Sequence, residues 1–198
     1  MRCVRTIVNS DRMPEPTERA KVIVLGLGNL ILMDDGVGIH AVRRFRELAH
    51  REILAVDVGT DVFSAVHLLE QADKVVAFDA MFGSGKPGTI YLVEASGLAN
   101  EGVKGSLHEL DLSSVLQMLN GRRPEVIVVA AEPGTIKLGT ELSPAVQAAV
   151  PEMVRAAVAL TSYWLSLAPE AVGSGTDLAQ VPWVVPLANA HVPASVLH

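Results

Sequence analysis

Three short stretches, KVIVLGL, DKVVAFDA and EVIVVAA, are apolar at almost every central position and show no polar alternation. A strand with one face in water alternates, whereas a strand covered on both faces reads as such a run. Segments of a different period lie between them. GVGIHAVRRFRELAH spaces Val37, Ala41, Phe45 and Leu48 as a helix does, and TDVFSAVHLLEQA, DLSSVLQMLNG and SPAVQAAVPEMVRAAVALTSYWLSLA read as three more helices. REILAVDVGT and GTIYLVEA supply further strands, the latter fairly alternating and preceded by the turn signal GSGKPG. Strands alternating with helices imply a three-layer α/β fold: an open, mostly parallel twisted sheet of about five strands with helices on both faces. Thr60, Asp111 and Ser143 are the expected N-caps of the later helices, Pro144 suits a first helical position, and Pro151 is expected to kink or restart the last helix.

The periodic part occupies residues 21–168 and is expected to form one domain, between a polar leader at 1–20 and a Pro/Gly/Ala-rich tail at 169–198. Hydrophobic residues make up 49% of the chain and charged ones 19%, a balance that excludes a disordered polymer. The net charge of -6 and the scattered Lys and Arg speak against a nucleic-acid partner. Arg43, Arg44 and Arg46 form the densest basic group, on what reads as a solvated helix face. The single cysteine, Cys3, excludes an internal disulfide and a cysteine-cluster metal site. The leader has no apolar signal core, and MVRAAVALTSYWLSLA is interrupted by Arg155 and shorter than the roughly 20 residues of a membrane span. No membrane insertion is expected, and the location is expected to be cytoplasmic.

In an open α/β sheet, ligands bind beyond the carboxyl ends of the strands. Acids gather there: Asp34 and Asp35 after the first strand, Asp57 at the end of the second, Asp79 at the end of the third and Glu132 after the fifth. Like charges held together destabilise one another unless a cation or a shared proton compensates, so the cluster asks for a metal. Asp79 follows a run expected to be buried on both faces, where an isolated carboxylate must be paired, hydrogen-bonded or coordinated. His108, in SLHELDL, is placed in a loop at the level of the same edge, and an imidazole with carboxylates suits nickel, zinc or a similar ion.

The glycine-rich turn VLGLGNLILMDDGVGI also invites a dinucleotide reading. It supplies Gly26 and Gly28 but has Ile31 where the third glycine of G-x-G-x-x-G belongs. Asp34 and Asp35 would set negative charge beside the pyrophosphate, the wrong sign for such a site. A Rossmann-type nucleotide binder therefore stays a secondary reading.

VLGLGNLILMDDGVGIHAV, VDVGT, VVAFDA, SLHELDLSSVL and AAEPGTIKLGTELSPAV, taken in order, resemble the [NiFe]-hydrogenase maturation endopeptidases, the proteases that process the C-terminus of the hydrogenase large subunit. The resemblance covers residues 22 to about 165. It implies metal-binding positions at Asp35, Asp79 and His108, and matches Asp57 to the acid of an Asp-Gly-Gly-Thr turn. Asp35 stands where many members carry Glu, and Val58 replaces the first Gly of that turn. The implied client is a large-subunit precursor whose inserted nickel serves as recognition cue for removal of a C-terminal extension. The implied metal is nickel carried by the client, with zinc or cadmium able to substitute in vitro. Asp57 is the expected base or orienter of an aspartic-type endopeptidase. A non-catalytic, metal-dependent chaperone of the same precursor is the alternative.

Overall fold

The computed structural model describes residues 21–48, 53–95, 107–119, 121 and 123–166, with residues 107–110 described as backbone. The expected leader and tail lie outside the described residues. Five strands, β1 (Val22–Leu27), β2 (Leu54–Gly59), β3 (Lys74–Ala80), β4 (Ile90–Glu94) and β5 (Glu125–Ala131), form one sheet in the order β2-β1-β3-β5-β4. All pairings are parallel except that of β4 with β5. Every residue of β1 and β3 is buried, as their unbroken apolar runs demand.

Helices α1 (Val37–Leu48), α2 (Val66–Leu69), α3 (Leu107–Met118) and α4 (Pro144–Ser166) supply the covering layers. One core lies under α1 and α4 and includes Val24, Phe45, Phe78, Val129, Met153 and Trp164. The other, with Leu25, Leu69, Val75, Leu112, Val115 and Val128, lies under α2 and α3. Phe45 meets Phe78 edge to face at a centroid distance of 6.2 Å, an arrangement worth about 1 kcal/mol beyond the area it buries. At the amino end of the sheet the buried Lys74 ammonium pairs with Glu125 at 2.6 Å and lies 5.8 Å from the Trp164 ring centroid.

The sequence-based helices need three corrections. The second is reduced to a 3-10 turn, Val62–Ala65, and the single turn of α2, and Asp61 rather than Thr60 caps it by accepting from the Ser64 amide. The third begins at Leu107, so Asp111 is a helix-interior residue and not a cap. The last is one helix through Pro151, so it is not restarted there, and the proline ring lies on the exposed side. Among the described residues no helix is long and apolar enough to cross a membrane.

Edge strand β2 is tied down by two arginines of α1. Arg46 donates to the Ala55 carbonyl at 2.9 Å, and Arg43 reaches Asp57. Charged side chains on an edge discourage pairing with a further strand.

Glycines set how closely α1 lies on the sheet. A methyl group at Gly38 would stand 2.3 Å from the Phe78 carbonyl oxygen and 2.4 Å from that of Leu27, both fixed backbone. Gly59 is bound only by its conformation, φ 69°, with open space around it. Gly38→Ala is therefore expected to lower unfolding free energy by about 3 kcal/mol through forced displacement of α1. Gly59→Ala should cost about 1 kcal/mol from the left-handed backbone alone. Urea titrations of the two variants would check this order, and equal losses would contradict it.

Candidate functional site

The five acids expected at the carboxyl edge are all present there, but they divide into three kinds. Asp34 is fully buried and hydrogen-bonded within the protein. Its carboxylate accepts from the Gly134 amide at 2.9 Å, the Thr135 amide at 2.8 Å, the Ser143 amide at 2.6 Å and the Ser143 hydroxyl at 2.8 Å. Ser143, the expected cap of α4, thus gives its hydroxyl proton to Asp34. Glu132 is the second such clamp. Its Oε2 accepts from the Gly83 and Gly85 amides at 2.7 and 3.2 Å and from the Tyr91 hydroxyl at 2.6 Å. Burial first, and then this carboxylate, push the Tyr91 phenol far above its ordinary pKa. Both acids fasten loops, a role their sequence surroundings do not announce.

Asp57 is of a different kind. Arg43 grips one of its oxygens twice, through Nε at 3.1 Å and Nη2 at 2.8 Å, and the Asp57 side chain remains 25% exposed. Register decides which way it points. Gly26 pairs with Asp57 on one side and with Phe78 on the other, and both Gly26 and Phe78 face α1. Asp57 therefore lies on the α1 face, and Asp79, one residue beyond Phe78, lies on the opposite face with α2 and α3. The sheet separates the two acids that the sequence reading brought together.

Asp35 and Asp79 form the third kind. Asp79 is fully buried, and its Oδ1 accepts from the next amide, that of Ala80, at 2.8 Å. Asp35 sits in a 3-10 turn, Met33–Gly36, that packs against β3. Its backbone is held at both ends, the amide donating to Leu32 and the carbonyl accepting from Asn29. Gly28 permits this, since a methyl group there would stand 2.0 Å from the Asp35 carbonyl oxygen. Met33 takes a left-handed conformation, φ 52°, that costs about 1–2 kcal/mol in a non-glycine residue. Its amide meets the Gly139 carbonyl at 2.9 Å. The turn that resembles a phosphate loop is thus a device for holding carboxylates, which decides against the nucleotide reading.

His108 belongs to the first turn of α3 and not to a loop. Ser113, Leu116 and Gln117, farther along α3, line a cavity of about 430 Å³ with Glu94 and Glu125, which lie at the amino end of the sheet. The first turn of α3 is therefore directed toward the carboxyl edge, on the face that carries Asp79. The His108 side chain lies outside the described residues. Among the described residues no three His, Cys, Asp or Glu side chains stand close enough to hold a metal ion.

A family model described as HycI, hydrogenase maturation protease, matches residues 39–160. The chain belongs to the hydrogenase maturation protease family. As a member it is a peptidase. Asp57, Asp79 and His108 fall inside the matched span, and Asp34 and Asp35 precede it. Similar proteins include the hydrogenase expression/formation protein HupD of Bradyrhizobium diazoefficiens, 28% identical over 160 residues that cover 77% of this chain and 83% of that one. The hydrogenase expression/formation protein HoxM of Azotobacter vinelandii is 27% identical over 184 residues, 89% of each chain. Among solved structures, the [NiFe] hydrogenase maturation protease HybD from Thermococcus kodakarensis matches with a TM-score of 0.60 and 29% identity, covering 71% of this chain and 98% of that one. The maturating endopeptidase HybD of E. coli shares the fold at a TM-score of 0.66 and 24% identity, over 72% of this chain and 93% of its own.

Two measurements test this division of the protease's acids and basic groups. Asp34→Ala strands four donors and is expected to cost about 2–4 kcal/mol in urea unfolding, with faster hydrogen exchange at the Thr135 and Ser143 amides. On α1, the buried His40 Nε2 has no hydrogen-bond partner among the described residues, and burial first and Arg43 second lower its pKa below 6.5. The folded state then takes up this proton less readily than the unfolded state. Its contribution is complete above pH 6.5 and is lost as pH falls below that value. His40→Gln should flatten the dependence of the urea midpoint on pH between about 7 and 5.

Proposed function

We propose that this protease removes the C-terminal extension of a [NiFe]-hydrogenase large-subunit precursor after nickel insertion, with the client's own nickel as its recognition cue. The observation that carries the reading is Asp79, a fully buried carboxylate on the face of the sheet toward which the first turn of α3 is directed, beside the packed turn that bears Asp35. Carboxylates at one edge together with an imidazole suit a borderline divalent ion. Asp35, Asp79 and His108 are the residues that would grip the nickel-bearing segment, and zinc or cadmium is expected to occupy the same set in vitro. The reaction is placed in the cytoplasm, where the unfinished precursor would be met.

A bound divalent metal polarises a carbonyl or lowers the pKa of a water. The chain itself contributes fixed carboxylates in a site of low dielectric, so the segment being cut is positioned before any bond changes. Peptide hydrolysis needs a water oxygen to attack the carbonyl carbon while a carboxylate of this edge accepts its proton. The departing amine takes that proton as the C–N bond breaks. Asp57, held by Arg43 on the other face, suits an orienting role at the end of β2 better than the role of this base.

Intact mass of a nickel-loaded precursor after incubation with the protein tests the reading. Loss of a C-terminal peptide is expected with the wild type, a fall of at least about 100-fold in rate with Asp79→Asn or Asp35→Asn, and less than about tenfold with Asp57→Asn. Stable nickel-dependent binding without any change of mass would instead establish a chaperone.

A further inference from the structure

Eight large apolar side chains are exposed among the described residues, and five of them, Ile31, Phe63, Phe82, Ile136 and Leu138, stand on segments that leave the carboxyl ends of the strands. They come from four separate loops, those that follow β1, β2, β3 and β5. Each loop is fastened by polar bonds near the exposed residue. The Ile31 carbonyl accepts from the Gly139 amide at 3.0 Å, and Asp34 binds the loop that carries Ile136 and Leu138. Glu132 holds the Gly83 amide next to Phe82, and Asp61 caps the turn that bears Phe63. The side chains are presented in water by a rigid frame although they serve neither core. Exposed apolar side chains gathered at one edge of a sheet mark a contact site.

We propose that this collar docks an extended apolar segment of the precursor polypeptide next to the bond that is cut, a role that rests on the function proposed above. The occupant follows from where the collar stands. Its loops leave the same strand ends as Asp35 and Asp79, so a lasting cover, whether a second copy of the chain or its own residues 167–198, would stand in the way of a peptide at that edge. A client segment covers the collar only while it is being processed. Four loops also span more than a metal ion requires, whereas an extended chain advances about 3.3 Å per residue and can touch several of them in turn.

Two readouts separate failure of this proposal from failure of the proposed reaction. In the first, Leu138→Asp and Phe82→Asp are compared with Met118→Asp, whose side chain is exposed on α3 away from the collar. The collar variants are expected to reduce kcat/KM for the nickel-loaded precursor about tenfold, carried by KM, with urea midpoints held and Met118→Asp matching the wild type. Leu138, 80% exposed, is the least exposed to folding effects, and Leu138→Ser repeats the test without a charge. Equal kinetics in all variants would overturn the proposal. In the second, Leu138→p-benzoylphenylalanine with Asp35 and Asp79 left in place is irradiated with the precursor on mixing, which reads contact directly rather than cleavage. A crosslink to the precursor is expected. A crosslink within the chain, a crosslink to a second copy, or none to the precursor would each overturn it.

Discussion

The carboxylate of Asp34 is the point on which the working edge depends. A buried carboxylate is tolerated only when its acceptor capacity is met, and here three amides and a hydroxyl meet it. Those donors belong to the loop after β5 and to the start of α4, so one side chain joins the first turn of the chain to its last helix. Asp35 is the neighbouring residue, and its position is inherited from that junction. The left-handed Met33 and the close approach at Gly28 are strains that the junction can hold.

Electrostatics then sort the remaining acids. An unsupported cluster of five carboxylates would repel itself, but Asp34 and Glu132 are neutralised by backbone dipoles and Asp57 by a guanidinium. The remaining pair, Asp35 and Asp79, is the one to which the family resemblance assigns metal. Asp79 thus lies on the face opposite α1, and Asp57 on the face that α1 and its arginines close.

Much of this architecture was legible in the residues. KVIVLGL, DKVVAFDA and EVIVVAA are apolar because both faces of their strands are covered, which implies a mostly parallel sheet, and the acids that follow the strands must then gather at its carboxyl end. What escaped was set by tertiary contact. Asp34 looks like half of an acidic pair until the loop at 133–143, a hundred positions on, supplies its donors. Asp57 and Asp79 both end strands, and only the register around Gly26 tells that they point to opposite faces. The apolar spacing of the second helical segment extends past the point where packing supports a helix. Asp111 is a good cap in isolation and makes a loop of the residues before it, yet α3 starts ahead of His108.

The separation of 100 to 109 residues between Asp34 and its donors also governs the order in which the protein can become competent. The acidic turn leaves the ribosome early, but the groups that fix it arrive only when β5 has entered the sheet and α4 has begun. Contacts so distant along the chain form late, because their loop-closure entropy must be met before they contribute. A nascent or partly unfolded chain therefore carries the acids without their geometry, and proteolytic competence arrives together with completion of the fold.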